Sequence, residues 1–95
     1  MTMEFLHTEF HGGPDYVVLV TLDKQANVML LDDGNFASYR QGRTFSYYGG
    51  WMTRSPVRLV PPDQGHWNVV VDLGGNSGTI RTRIRIVHRK LPSGC

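Results

Sequence analysis

Cysteine is nearly missing from this chain: of 95 residues only Cys95 is one, and it is the last. A lone cysteine closes no internal disulfide and supports no multi-cysteine metal framework, so a reducing compartment is the expectation. Long apolar runs are missing as well. The longest, Tyr16 to Leu22, is interrupted by Thr21 and falls far short of the ~20 residues a membrane span needs, and no basic-then-apolar segment opens the chain as a signal peptide would. The chain therefore reads as cytoplasmic, with no membrane partner. Neither sign of charge dominates: the net charge is +2 with histidines neutral, an excess that favours solubility and makes no strong case for nucleic acid.

What is present is the composition of a folded domain. Hydrophobic residues make up 40% and charged residues 19%, with two Trp, four Tyr and four Phe, which separates the chain from disordered sequences. A chain of this length builds one modest core and no second one, and no repeat or linker divides it, so residues 1–95 are read as one domain.

The strongest pattern lies near the C-terminal end. Trp67, Val69, Val71 and Leu73 alternate on one face of a strand, and Ile80, Ile84 and Ile86 keep the same period of two on a following strand. Between them Gly74, Gly75, Asn76, Ser77 and Gly78 form a turn-rich segment, so the two strands are predicted to pair as a hairpin. Phe5 to Phe10 is a further strand candidate, followed by the loop residues His11 to Asp15. Tyr16 to Leu22 is valine-rich on both faces, as a covered strand would be. The polar link Asp23 to Ala26 then joins it to Asn27 to Leu31 in an expected second hairpin.

Asp32-Asp33-Gly34-Asn35 offers a helix N-cap before Phe36 to Gln41, with Gly42 where a glycine stop belongs. Phe36 and Tyr39, three apart, share a face of that short helix, which is expected to plug one end of the sheet structure. Arg43 to Tyr48 alternates again until Gly49-Gly50 breaks it. Val57 to Val60, fenced by Pro56, Pro61 and Pro62, reads as an edge strand because proline gives the ladder no donor. The expected fold is all-β: a small barrel or sandwich of six to seven short strands with one short helix.

The order of motifs is specific when taken together: Asn27-Val28, Asp32-Asp33, Asn35-Phe36, Tyr39, Gly42, Tyr47, Gly49-Gly50, Ser55-Pro56-Val57, Gly65-His66-Trp67 and Asp72 to Gly75. In this order the chain resembles, over nearly its whole length, the bacterial domain of unknown function 1883. The resemblance implies a small all-β cytosolic module, stand-alone or beside TIR domains, with a sensing role near immunity-type signalling and no known reaction.

Several residue groups carry possible chemistry. His7, Glu9 and His11 project from one strand face and are of metal-ligating type, but at ~6.6 Å per two residues they span about 13 Å, too far to meet on one ion, so no metal is expected. Ser77, His66 and Asp72 supply the residue types of a nucleophilic triad without a strand-to-helix elbow, so no catalytic set is expected either. Arg81, Arg83 and Arg85 form a guanidinium row suited to phosphates, or alternatively a solvated strand face that discourages pairing with other chains.

The polar and aromatic group Asn27, Asp32, Asn35, Tyr39, Tyr47, Gly49, Gly50, His66 and Asp72 stands out most. Asp32 and Asn35 flank a helix N-terminus, and Gly49-Gly50 permits close approach by a backbone or a ligand. These residues either line a shallow ligand pocket or close loops through buried hydrogen bonds. The sequence reading is a non-enzymatic binding or sensor module for a small molecule or protein partner, with no cofactor. The alternative is nucleotide or nucleic-acid binding through the arginine-lined strand.

Overall fold

A computed structural model describes residues 5–74 and 80–88. The valine-rich alternation builds seven strands and one helix: β1 (Leu6–Gly12), β2 (Tyr16–Leu22), β3 (Ala26–Asp32), α1 (Asp33–Arg40), β4 (Tyr48–Met52), β5 (Val57–Leu59), β6 (Gly65–Asp72) and β7 (Thr82–His88). They form two antiparallel sheets, one of four strands in the order β1-β6-β3-β4 and one of three in the order β5-β2-β7. The sheets do not close into a barrel, so the architecture is a sandwich. Among the described residues no helix is long and apolar enough to cross a membrane.

The core lies between the two sheets. Val28 and Leu30 of β3 and Trp67, Val69 and Val71 of β6 meet Val18 and Val20 of β2 and Val57 of β5, all buried, with Ile80, Ile84 and Ile86 packed against them. The alternating faces read from the sequence are thus the faces that are buried. Trp67 also satisfies its indole N–H on the Asp63 carbonyl at 3.0 Å, as a buried indole must.

The strand partners differ from the sequence expectation. β6 pairs with β1 and β3, whereas β7 pairs with β2 in the other sheet, so Trp67–Leu73 and Ile80–Ile86 face each other across the core and form no hairpin. The glycine segment 75–79, expected to be a tight turn, lies outside the described residues. β2 and β3 likewise lie in different sheets. Among the described strands, every chain connection except β3–α1–β4 passes from one sheet to the other. Burying two apolar strand faces against each other satisfies the same period-two pattern as laying them side by side, so alternation leaves the partner open.

The helix does not plug an end. It lies on the outer face of the four-stranded sheet, where Tyr39 packs with Met29, Leu31 and Val70 in a second apolar cluster joined by Phe5, Phe36 and Phe45. That cover explains why β6 is buried on both faces, including the polar residues Asn68 and Asp72. Residues 43–47 are not strand, and β4 instead begins at Tyr48 and runs through Gly49 and Gly50. The proline-fenced β5 is an edge strand, as expected.

Candidate functional site

Asp72 ends β6 on the sheet face that carries the helix and is only 4% exposed. A carboxylate removed from water must be matched by donors, and three are present. Asn27 Nδ2, directly across from it on β3, donates to Oδ1 at 3.1 Å, the Gly74 amide donates to the same oxygen at 2.8 Å, and the Tyr39 hydroxyl donates to Oδ2 at 2.6 Å. Burial, and then the neighbouring Asp72 carboxylate, pushes the Tyr39 phenol well above its ordinary pKa, so it stays a donor at all physiological pH values.

A cleft of about 270 Å³ opens over this knot. Asn27, Met29 and Asp72 lie in its floor, the rings of Tyr39, Phe45 and Tyr47 form a wall, and Gly42, Arg43 and Gly74 border it. The wall is a chain of ring contacts, Tyr39 to Phe45 at 5.3 Å and Phe45 to Tyr47 at 5.4 Å between centroids. The Trp51 ring flanks the same place: a Cβ built on Gly74 would lie 3.3 Å from Trp51 Cζ3 and 3.6 Å from Asn27 Nδ2. Gly74 has φ +65°, a backbone state that favours glycine.

Asp32 and Asn35 act one step away. Asp32 caps α1 by accepting from the Asn35 amide at 2.7 Å and from Asn35 Nδ2 at 3.1 Å, so its side chain occupies the helix N-terminus. Asn35 Oδ1 then accepts from the Ser46 amide at 2.8 Å, which pins the segment that delivers Phe45 and Tyr47 to the cleft. Gly49 serves a backbone approach: with φ +115°, a Cβ there would lie 2.1 Å from the Val28 carbonyl oxygen. Gly50 has φ +142° and open space around a Cβ.

His66 belongs elsewhere, at the opposite end of β6. Its Nδ1–H donates to Asp33 Oδ1 at 2.6 Å, and its Nε2 lies 3.3 Å from Glu9 Oε1. The same Asp33 oxygen accepts from Asn68 Nδ2 at 2.9 Å, while Asn68 Oδ1 accepts from His7 Nε2 at 2.8 Å. Hydrogen bonds from Asn68 and then His66 hold the Asp33 carboxyl below its ordinary pKa. The His7 imidazole also stacks on Phe36, with centroids 4.2 Å apart.

The nine conspicuous residues therefore divide. Asn27, Tyr39, Tyr47 and Asp72 share the cleft, Asp32 and Asn35 support its wall, Gly49 and Gly50 shape β4, and His66 joins a separate network. Sequence reasoning missed Arg43, Phe45 and Trp51 beside the cleft and Asn68 and Asp33 in the second network. A polar residue between apolar ones reads as solvent-facing, and the one signal for Asn68 and Asp72 was a helix following β3 that could cover that face.

His7, Glu9 and His11 do share the outer sheet face but have separate partners, His11 accepting from Gln64 Nε2 at 3.4 Å. Among the described residues no group of three or more His, Cys, Asp or Glu is placed to hold a metal ion. Ser77 lies outside the described residues.

Arg83 and Arg85 are exposed on the outer face of β7, and Arg81, also exposed, precedes the strand with its amide bonded to Asp23 Oδ1 at 2.9 Å. Arg58 of β5 joins them, since Leu19 of β2 lies between Arg58 and Arg85. The ion pairs among the described residues all use histidine, and none uses these arginines.

The fold and its cleft define a small two-sheet β-sandwich with a helix laid over one outer face. The family model described as Domain of unknown function (DUF1883) matches residues 3–90, and the chain belongs to that family. No curated protein and no solved structure matches the chain.

Proposed function

We propose that this domain is a non-enzymatic binding or sensor module whose ligand, a small molecule, enters the Asp72 cleft. The observation that carries the reading is the convergence of Asn27, Tyr39, Tyr47 and Asp72, from two strands, a helix and a loop, on one concave surface. A loop latch alone explains the three donors to Asp72. It does not explain why Tyr47, 44% exposed, and Arg43 line open space above that latch. Among the described residues that line the cleft there is no Ser, Thr, Cys, Lys or His, which favours binding over turnover. The family resemblance extends the proposal to a bacterial cytoplasmic module, stand-alone or beside TIR domains. A mixture of common metabolites is expected to raise the melting temperature of the protein, and Tyr47→Ala and Arg43→Ala should each reduce that rise. A rise unchanged in both variants, or none in the parent, contradicts the reading.

A second reading rests on the outer face of the three-stranded sheet. Arg58, Arg83 and Arg85 occupy one exposed surface without a described carboxylate, as a phosphate-binding face would. No exposed aromatic of the described residues has been found interleaved with them for base stacking, so this nucleotide or nucleic-acid reading ranks second.

A further inference from the structure

We infer that the occupant of the cleft is an uncharged polyhydroxy ring, a pyranose sugar; the inference rests on the reading of the cleft as a ligand site. Charge is the first argument. Asp72 lies in the floor and Arg43 at the border, and among the described residues they are the charged ones lining it. An anion meets the Asp72 carboxylate and a cation meets the Arg43 guanidinium, whereas a neutral ligand rich in hydroxyls accepts from Arg43 and donates to carboxylate or amide oxygens.

The polar atoms suit hydroxyl groups. A carboxylate accepts about four hydrogen bonds, and three described donors hold Asp72 rigidly in place. Asn27 spends one N–H on Asp72 and lines the cleft with it, so a carboxylate and a side-chain amide stand side by side toward hydroxyls, each of which is both donor and acceptor.

Ring faces supply the other half of the recognition. Tyr47, 44% exposed, lines this cleft, and Trp51, 46% exposed, stands beside its Gly74 border; both lie outside the two apolar clusters. Flat aromatic surface left in water beside a rigid polar floor suits a ligand with an apolar C–H face and a polar rim, as pyranoses have. The cleft, about 270 Å³, lies just below the ~300–1,000 Å³ of drug-sized sites and fits one ring.

The test is an amide and indole NMR titration of the intact protein with D-glucose, D-galactose, D-mannose and N-acetyl-D-glucosamine. Benzoate, benzylammonium and glycine serve as anionic, cationic and zwitterionic probes. At least one sugar is expected to shift the Asn27, Gly74 and Trp51 signals with a Kd on the order of 1 mM. Trp51→Ala should weaken that binding about tenfold, and Gln64→Ala, at the far end of the sheet beside His11, should leave it unchanged. Sugar binding indifferent to Trp51→Ala overturns the inference. Sugars without effect while a charged probe shifts the same signals also overturn it and leave the cleft reading standing. If no probe moves those signals, both fall.

Discussion

Tyr39 and Asp72 are joined by a 2.6 Å hydrogen bond in which a helix phenol donates to a carboxylate on β6, an inner strand of the four-stranded sheet. This bond ties α1 to the sheet and sets the floor of the cleft against its wall. Removing it leaves a buried carboxylate with one donor fewer. Tyr39→Phe is expected to lower unfolding stability by about 1–3 kcal/mol, measured by urea denaturation with an unchanged m-value.

The same pair fixes an alkaline dependence. The Tyr39 phenol has a folded-state pKa above its ordinary 10.0, so above that value the unfolded chain releases a proton that the folded chain retains. The stabilisation is full below pH ~10 and is lost as pH rises toward the folded pKa. Tyr39→Phe should lose stability less steeply above pH ~10 than the parent; equal slopes would contradict the assignment.

Asn68 is the hub of the second network, 1% exposed and bonded to His7, Asp33 and the Leu31 carbonyl. Asn68→Ala should cost about 1–3 kcal/mol and let the Asp33 carboxyl titrate closer to its ordinary 3.8. Because the folded pKa of Asp33 is depressed, its contribution is present above that ordinary value and is lost as pH falls through the folded pKa. Carboxyl-carbon NMR titration of parent and variant reads the Asp33 change, and urea denaturation reads the loss of stability. His66→Ala, whose carboxylate partners are exposed, should change stability by only ~0–1 kcal/mol.

Gly49 and Gly50 separate close approach from backbone strain. Gly49→Ala meets the Val28 carbonyl oxygen at a built distance of 2.1 Å on top of its φ of +115°, whereas Gly50→Ala meets strain alone. Strain costs on the order of 1–3 kcal/mol, so Gly50→Ala should be mildly destabilising and Gly49→Ala distinctly worse. Equal melting temperatures for the two variants would refute the packing of β4 on β3.

The arginine face offers a cleaner division between readings. Replacing Arg81, Arg83 and Arg85 with Gln removes no described ion pair, so stability should change by less than about 1 kcal/mol. Labelled single- and double-stranded oligonucleotides are expected to bind neither protein at physiological salt by fluorescence anisotropy. Micromolar, salt-sensitive binding abolished by the triple change would promote the phosphate reading.

Much of the fold was legible because it rests on local signals. Alternation marked the buried faces of β6 and β7, the Asp32–Asn35 segment and Gly42 marked α1, whose first turn begins at Asp33 and not at the expected Phe36, and the prolines placed β5 at an edge. The pairing was not legible, since Trp67 and Ile84 alternate identically whether their strands lie side by side or face to face. Arg43 and Phe45 come from a loop with no period, and Trp51 stands beside the cleft through its closeness to Gly74, 23 positions away in the chain. Half of the site thus depended on tertiary contacts that no short-range pattern encodes.

The central claim is that the Asp72 cleft is the face of this domain that meets a ligand. Amide chemical-shift mapping during addition of a fractionated extract of small metabolites tests it most directly. Shifts are expected to be confined to Asn27, Arg43, Tyr47 and Gly74 and to be lost in Tyr47→Ala; shifts gathered instead on Arg58, Arg83 and Arg85, with the cleft silent, would show that the ligand binds elsewhere.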